Sequence, residues 1–414
     1  MLISRLKNRF LAVTHMDAVD VVVVGGSISG LLAAREIAAA GCSVIVLEED
    51  PEIGTPEHCG GLVSIKGIEQ LGIVPDYRAF ENDRISRARV SSPSSHFEID
   101  ARNQKVVVLD RRALDKQAAM QAQQQGAQIR VRCRMLSCSD AAGTSRRYEI
   151  KTSEGIMQAD FIVDAAGVSS IIKRQRTGVL QSAQYEVYAP WITPETIEVD
   201  FDQDKFPGFF GWVIPTSDGA AKIGVAGQGI NSASALESYI DSKGKSAVVR
   251  KVYAPIWVGG PIREFVEGRT VKIGDAAGQS KPTTAGGIYT CGMGGIIAGR
   301  SIAKAIMTGD EKALEEYQAG WERTFKSEFD RMLLARRLLQ RLDNKALDEI
   351  ISAVPADKIQ QASESGDFDF HSSAITKILS TKSALKFASA LLGNELRRFF
   401  DKADKQELNS DSGV

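Results

Sequence analysis

The chain is poor in cysteine: Cys42, Cys59, Cys133, Cys138 and Cys291 are all it has in 414 residues, and no pair stands at C-x-x-C spacing. That excludes a disulfide framework and a zinc knuckle, and a reducing, cytoplasmic home is expected. Net charge is equally scarce. With 51 Lys and Arg against 52 Asp and Glu, nothing predicts the broad basic face that a nucleic-acid partner requires. Long hydrophobic runs are missing too: the longest uncharged stretch, residues 282–299, holds six glycines and little aliphatic bulk, so no membrane span is expected. There are four histidines, His15, His58, His96 and His371, and no metal site is expected. Residues 1–15 carry Arg5, Lys7 and Arg9 without the apolar core of a secretory signal. They and the polar end, residues 406–414, are expected to be flexible, with Met16 a candidate start.

What is present suits a large α/β protein of two or three domains, at about 150 residues per domain. The first readable unit is DVVVVGGSISGLLAAREIAAAGCSVIVLEED, residues 20–50. Val21 to Val24 predict a buried parallel strand, Leu31 to Ala40 a helix, and Ser43 to Leu47 a second strand. Gly25 permits the tight turn and Gly30 permits close packing of helix on strand. The helix N-terminus then offers free N–H groups to a pyrophosphate. Glu48 lies 48 − 30 = 18 residues past Gly30, the distance at which an acid reaches the hydroxyls of an adenosine ribose. Ser27 stands where the middle glycine of G-x-G-x-x-G is usual. No second such unit follows, so one permanently held dinucleotide is expected.

Distant segments complete this pattern. Leu109-Asp110-Arg111 ends a strand and precedes a helix over residues 113–125, and a strand is predicted over 128–136. Residues 161–163 run into the turn Asp164 to Gly167. A strand at Thr270 to Ile273 meets Gly274-Asp275, and a glycine-rich helix start follows at Gly286, Gly287 and Ile288. An aspartate there suits a ribityl hydroxyl, and the helix end suits the flavin N1/O2 edge.

Together the glycine turn with Glu48, Asp110-Arg111, and Gly274-Asp275 with Pro282 resemble the p-hydroxybenzoate hydroxylase-like flavoprotein superfamily. Two further segments, IGTPEHCGGLV (residues 53–63) and PGFFGWVIP (residues 207–215), resemble the geranylgeranyl reductase family. The second matches that family's P-x-x-Y-x-W-x-F-P strand, with Phe210 for Tyr and Ile214 for Phe. The resemblance implies bound FAD, with Gly25, Ser29, Gly30 and Glu48 at its ADP half and Met135 giving backbone near adenine. It places Cys59 and Gly60 at the flavin approach, Arg111 at the cofactor edge, and Asp275, Gly287 and Ile288 around ribityl and isoalloxazine. It also implies an α/β fold in which a Rossmann-like FAD-binding domain (16–80, 101–177, 265–310) is interleaved with an antiparallel substrate sheet (81–100, 178–264). A helical region over 311–405 follows.

The implied activity is saturation of isoprenoid double bonds by hydride from reduced flavin N5. Phe210, Trp212 and Pro215 would line the lipid site, and Cys59 and His58 would be the catalytic pair. An external donor, NAD(P)H, a ferredoxin or a deazaflavin, would recharge the flavin. Two alternatives stand beside this reading: an aromatic monooxygenase or halogenase with the same cofactor fold, and a non-catalytic prenyl-chain carrier. In the C-terminal third, Leu314, Tyr317, Trp321, Phe325, Phe329, Met332 and Leu333 form one apolar helical stripe. Residues 371–405 carry seven Lys or Arg and three Asp or Glu, 7 − 3 = +4, among apolar residues. That segment is read as an amphipathic helix, docked on its own protein or resting peripherally on an anionic membrane.

Overall fold

The computed structural model describes residues 17–74, 76–141, 148–365 and 367–372. The expectations for residues 1–15, 406–414 and nearly all of the basic segment 371–405 lie outside the described residues.

Val21, Val22 and Val23 are wholly buried. A strand that is apolar on both faces needs cover on both sides, as parallel sheets have. This first strand, Asp17–Val24, is the middle of a five-strand parallel run ordered Thr270–Lys272, Gly155–Asp164, Asp17–Val24, Val44–Leu47 and Gln128–Arg130. Val266–Glu267 and the hairpin Met135–Asp140/Tyr148–Thr152 add antiparallel strands at its margins, making eight strands. The helices Ile28–Ala39, Arg111–Gln124 and Ile288–Thr308 bury their apolar residues in one core against this sheet. The strand expected over 128–136 is broken: it stops at Arg130, Arg132 turns with φ +57°, and Met135 begins a separate strand.

A second sheet of seven strands runs Ala247–Trp257, Val179–Tyr188, Ala220–Gly227, Gly211–Ser217, Thr196–Asp200, Arg87–Ser91 and His96–Asp100. All pairings are antiparallel except Thr196–Asp200 with Arg87–Ser91. Side chains alternate across a sheet, and here the alternation separates two surfaces. Tyr185, Val187, Val213, Ile223 and Val225 face the helix Ser232–Lys243 and pack on Leu236, Tyr239 and Ile240. Gln184, Glu186, Trp212, Ile214, Lys222 and Gly224 take the other face, toward the dinucleotide fold. A small three-stranded sheet, Leu62–Ser64, Val106–Leu109 and Phe80–Asn82, bridges the two.

The helix Glu315–Leu339 follows the expected stripe, with Tyr317, Trp321, Phe325, Phe329 and Met332 all buried. Two shorter helices, Asn344–Ser352 and Ala356–Ser365, close against the strand His96–Asp100. Among the described residues no helix is long and apolar enough to cross a membrane.

Candidate functional site

The glycine turn is built by close approach. Gly25 has φ +108°, and a Cβ there would lie 2.4 Å from the carbonyl oxygen of Ala165, so only glycine fits. A Cβ on Gly30 would lie 2.2 Å from the carbonyl of Gly25, which brings the helix start onto the strand end. Ser27 makes no side-chain cap to the helix it opens, and no acid stands in the first turn. That leaves a positive, uncapped N-terminus. Glu48 accepts the Gly26 N–H at 2.8 Å and the Asp50 N–H at 2.9 Å, one on each carboxylate oxygen. Each oxygen keeps a second acceptor site for a ribose hydroxyl. Burial pushes the Glu48 carboxyl above its usual range, and the two N–H donors partly offset this.

Across the sheet ends, Gly274 and Asp275 form a turn whose next helix, Ile288–Thr308, is also uncapped at Gly287 and has no acid in its first turn. Ser29 is buried against this turn: a Cβ on Gly274 would meet its Oγ at 2.5 Å. Burial raises the Asp275 carboxyl, opposed by its contacts with Ser280 and Cys291 and by the charge of Arg111. The thiol of Cys291 reaches Asp275 Oδ1 at 3.7 Å. Asp110 caps the helix Arg111–Gln124 through the Arg112 and Ala113 N–H groups, so the helix begins two residues before the expected 113. Arg111 pairs with Asp115 at 3.0 Å and lies within reach of the Cys59 sulfur. Its Nε is buried with no partner among the described residues. An orphaned guanidinium nitrogen, two uncapped helix ends and an aspartate at the turn before the second of them suit a phosphorylated, hydroxyl-rich cofactor such as FAD.

The segment before Cys59 rests on the seven-stranded sheet. Glu57, 4% exposed, accepts from Lys222 Nζ at 2.7 Å, and Lys222, itself 2% exposed, also donates to Glu81 at 2.7 Å. Burial alone lowers the Lys222 pKa, but the carboxylates of Glu81 and Glu57 override it and hold the ammonium charged. Arg250 donates to the Glu57 carbonyl at 2.9 Å, and Gln184 to the Cys59 carbonyl at 3.3 Å. Cys59 is half-buried, its sulfur accepting from the Gly61 N–H at 3.3 Å. His58 is exposed, and partial desolvation followed by the charge of Arg250 lowers its pKa. Of the expected catalytic pair, the fold therefore brings only Cys59 to Arg111.

Other expected residues are also sorted by the fold. Phe210 stacks on Phe209 with centroids 4.1 Å apart and meets Trp212 edge-on at 6.1 Å. The cluster they form reaches Ala285, immediately before Gly286 and Gly287. Alternation puts Pro215 on the opposite face from Trp212, and its carbonyl is held by Asn82 at 2.8 Å. Met135 is paired opposite Thr152, whereas Arg130 and Cys133 bond the backbone of Glu48.

Two groups escaped the sequence reading. One is the pair Glu57–Lys222, whose signal is a lysine inside a strand buried at every position, Ala220–Gly227. The other is residues 367–372, which cross the glycine-rich turn. Lys281 donates to the Phe368 carbonyl at 3.0 Å, His371 Nε2 bonds Thr283 at 2.8 Å, and Asp369 accepts from Ser64. Phe370 stacks on Phe325 with centroids 5.7 Å apart, and Ser372 donates to Glu328 at 2.7 Å.

Cradle and fold define an FAD-dependent oxidoreductase. Residues 18–232, just over half of the chain, match the family described as FAD binding domain. Digeranylgeranylglycerophospholipid reductase 1 of Methanopyrus kandleri is 31% identical over 81% of this chain and 94% of its own length. Digeranylgeranylglycerophospholipid reductase 2 of the same organism is 30% identical over 90% and 99%. The chain belongs to this FAD-binding family, in its geranylgeranyl reductase branch. The fold is shared with a geranylgeranyl bacteriochlorophyll reductase-like protein of Thermoplasma acidophilum, at a TM-score of 0.80 and 24% identity over 91% of this chain and 99% of that one. A flavin-dependent halogenase shares it more loosely, at 0.61 and 16% over 91% and 72%.

Proposed function

We propose that the protein saturates carbon–carbon double bonds of geranylgeranyl chains in isoprenoid lipids. The observation that carries this reading is the aromatic cluster Phe209, Phe210 and Trp212, which runs from the substrate sheet to Ala285 at the flavin-edge turn. An apolar wall ending at the redox group suits a long hydrocarbon better than a compact polar substrate. The names of the Methanopyrus relatives support the same substrate class.

An isolated double bond gives no polar handle, so the protein must supply position and dryness. Bound and reduced FAD supplies the hydride. The glycine turn and the two helix ends would hold the cofactor's phosphates and ring edge, and Glu48 and Asp275 would bond its ribose and ribityl hydroxyls. Phe210 and Trp212 orient the chain from one side. Cys59 is the proposed proton-handling residue, since its sulfur lies beside Arg111, while His58 faces solvent. Residues 16–80, 101–177 and 265–310 act as the FAD-binding unit in this reading, and 81–100 with 178–264 as the lipid-facing unit. Electrons come from an external donor such as NAD(P)H, a ferredoxin or a deazaflavin. The basic segment 371–405, almost all of it outside the described residues, is the part of the chain this reading assigns to peripheral contact with an anionic membrane, docking on its own protein being the alternative.

The deciding experiment reduces the flavin with dithionite under anaerobic conditions, adds a geranylgeranyl phospholipid, and follows flavin absorbance and lipid mass. Hydrogen pairs gained by the lipid as flavin reoxidises are the expected result. Unchanged lipid over stable reduced flavin, followed by oxygen-dependent product formation on an aromatic substrate, would replace this reading with a monooxygenase. A protein without retained FAD would instead leave the carrier. Trp212→Ala is expected to lower lipid turnover while leaving bound FAD unchanged; equal losses in both would make Trp212 a support of the fold.

A further inference from the structure

On the sheet face that meets the cofactor fold, Gln184, Gly224 and Trp212 are direct cross-strand partners on three neighbouring strands. Strands are about 4.8 Å apart, so Gln184 and Trp212 stand two spacings from each other, beyond ordinary side-chain contact. Gly224 removes the obstacle. A Cβ there would sit 2.2 Å from the indole of Trp212, so only glycine lets the ring lie across the middle strand. The indole Nε1 then reaches Gln184 Oε1 at 3.2 Å, while Gln184 Nε2 donates to the Cys59 carbonyl at 3.3 Å. Indole nitrogen only donates and a peptide carbonyl only accepts, so one amide orientation alone satisfies both partners. Gln184 is 6% exposed, so losing either bond leaves a polar group buried without its partner.

The next row on the same face is Arg250, Glu186, Lys222 and Ile214. Three of its members touch the same loop: Arg250 and Lys222 hold Glu57, and Ile214 packs on Gly60. The loop that carries Cys59 is thus seated on the lipid-facing sheet, although its chain neighbours belong to the cofactor fold.

We propose that Gln184 is a positioning residue that couples the placement of Cys59 and Gly60 to that of the Trp212 indole, so that the wall for substrate and the flavin approach move as one body. This rests on the reading of Cys59 and Trp212 given above, and its test is chosen to stand apart from the lipid assay. The FAD-loaded protein is treated with iodoacetamide, and alkylation of Cys59 is timed by peptide mass spectrometry. Gln184→Leu is expected to alkylate about tenfold faster, the effect of removing one buried hydrogen bond that holds the loop closed. Gln184→Glu keeps the shape: ionised, it cannot donate to the Cys59 carbonyl, but protonated it can. Its alkylation rate, divided by that of wild type at the same pH, is expected to fall toward one as pH is lowered. The denaturant midpoint of Gln184→Glu, read against wild type at each pH, separates this return from a change in general stability, which would move the midpoint in step with the ratio.

Single-turnover reoxidation of reduced flavin by geranylgeranyl phospholipid is measured on the same proteins, and both variants are expected to be slowed at unchanged FAD content. Wild-type alkylation rates in both variants would overturn the coupling, as would a ratio for Gln184→Glu that ignores pH. If Gln184→Leu fails to fold, Gln184→Glu still decides. Wild-type flavin that lipid does not reoxidise would overturn the substrate reading instead, and the alkylation data would still judge Gln184.

Discussion

Gly25 to Gly30 make most of the ADP cradle from backbone alone: a left-handed glycine, a close approach and an uncapped helix end within six consecutive residues. The sheet face that seats Cys59 uses side chains from four strands between Gln184 and Arg250, none adjacent in sequence to the loop it holds. The cradle recognises a cofactor through groups that every peptide has, so its specificity lies in where side chains are missing. The sheet face depends on charge and register, so it is sensitive to the identity of single residues.

The largest effect should come from Lys222→Met, which leaves Glu57 and Glu81 without their shared ammonium. Breaking a buried ion pair from one side costs about 3–5 kcal/mol, to be read from the denaturant midpoint. Glu57→Gln added to Lys222→Met should recover part of that loss. If Lys222→Met unfolds like wild type, Arg112 and Arg250, 3.7 Å and 3.9 Å from Glu57, suffice and the contrast between the regions weakens.

Next comes the cradle. Gly30→Ala should weaken FAD binding about tenfold to a hundredfold with little change in fold, since its Cβ meets the Gly25 carbonyl and overpacking costs about 1–3 kcal/mol. Titration calorimetry on apoprotein measures this, and undiminished affinity would show that the turn relaxes freely. Asp275→Ala removes one side-chain contact and should cost about tenfold in FAD affinity by the same method. Asp275→Asn should cost less.

The smallest effect concerns residues 367–372. Burial, then the charge of Lys281, depresses the His371 imidazole to about 3. A histidine that titrates near 6.5 when unfolded and near 3 when folded contributes stability that is complete above pH 6.5. That contribution is lost as pH falls from 6.5 toward 3, because the unfolded state takes the proton first. Amide exchange in this segment should accelerate between pH 7 and pH 4.5, and His371→Gln should flatten the change. Asp367 and Asp369 titrate nearby, so the difference between the two proteins is the quantity to compare.

Local rules made the cradle legible. Four consecutive valines, a glycine turn and an acid 18 residues past Gly30 need no distant partner to be understood, and Tyr317 to Met332 declared their buried stripe by spacing alone. The break at Arg132 was hidden because a positive φ on a non-glycine residue is imposed by the turn that joins two strands. No neighbour in sequence explains Glu57 or Lys222, because each is explained only by the other, 165 positions away. His58 and Cys59 were indistinguishable as neighbours in sequence. The loop's attachment to the sheet is what turns one toward Arg111 and leaves the other in water.

Sequence by itself thus determined the dinucleotide cradle, since backbone recognition at a glycine turn is written in contiguous residues. The face on which Cys59 sits, the pairing of Lys222 with Glu57 and the separation of Pro215 from Trp212 were decided by tertiary structure. Strand register, which exchanges the two faces with every one-residue shift, exists only once the sheet has formed.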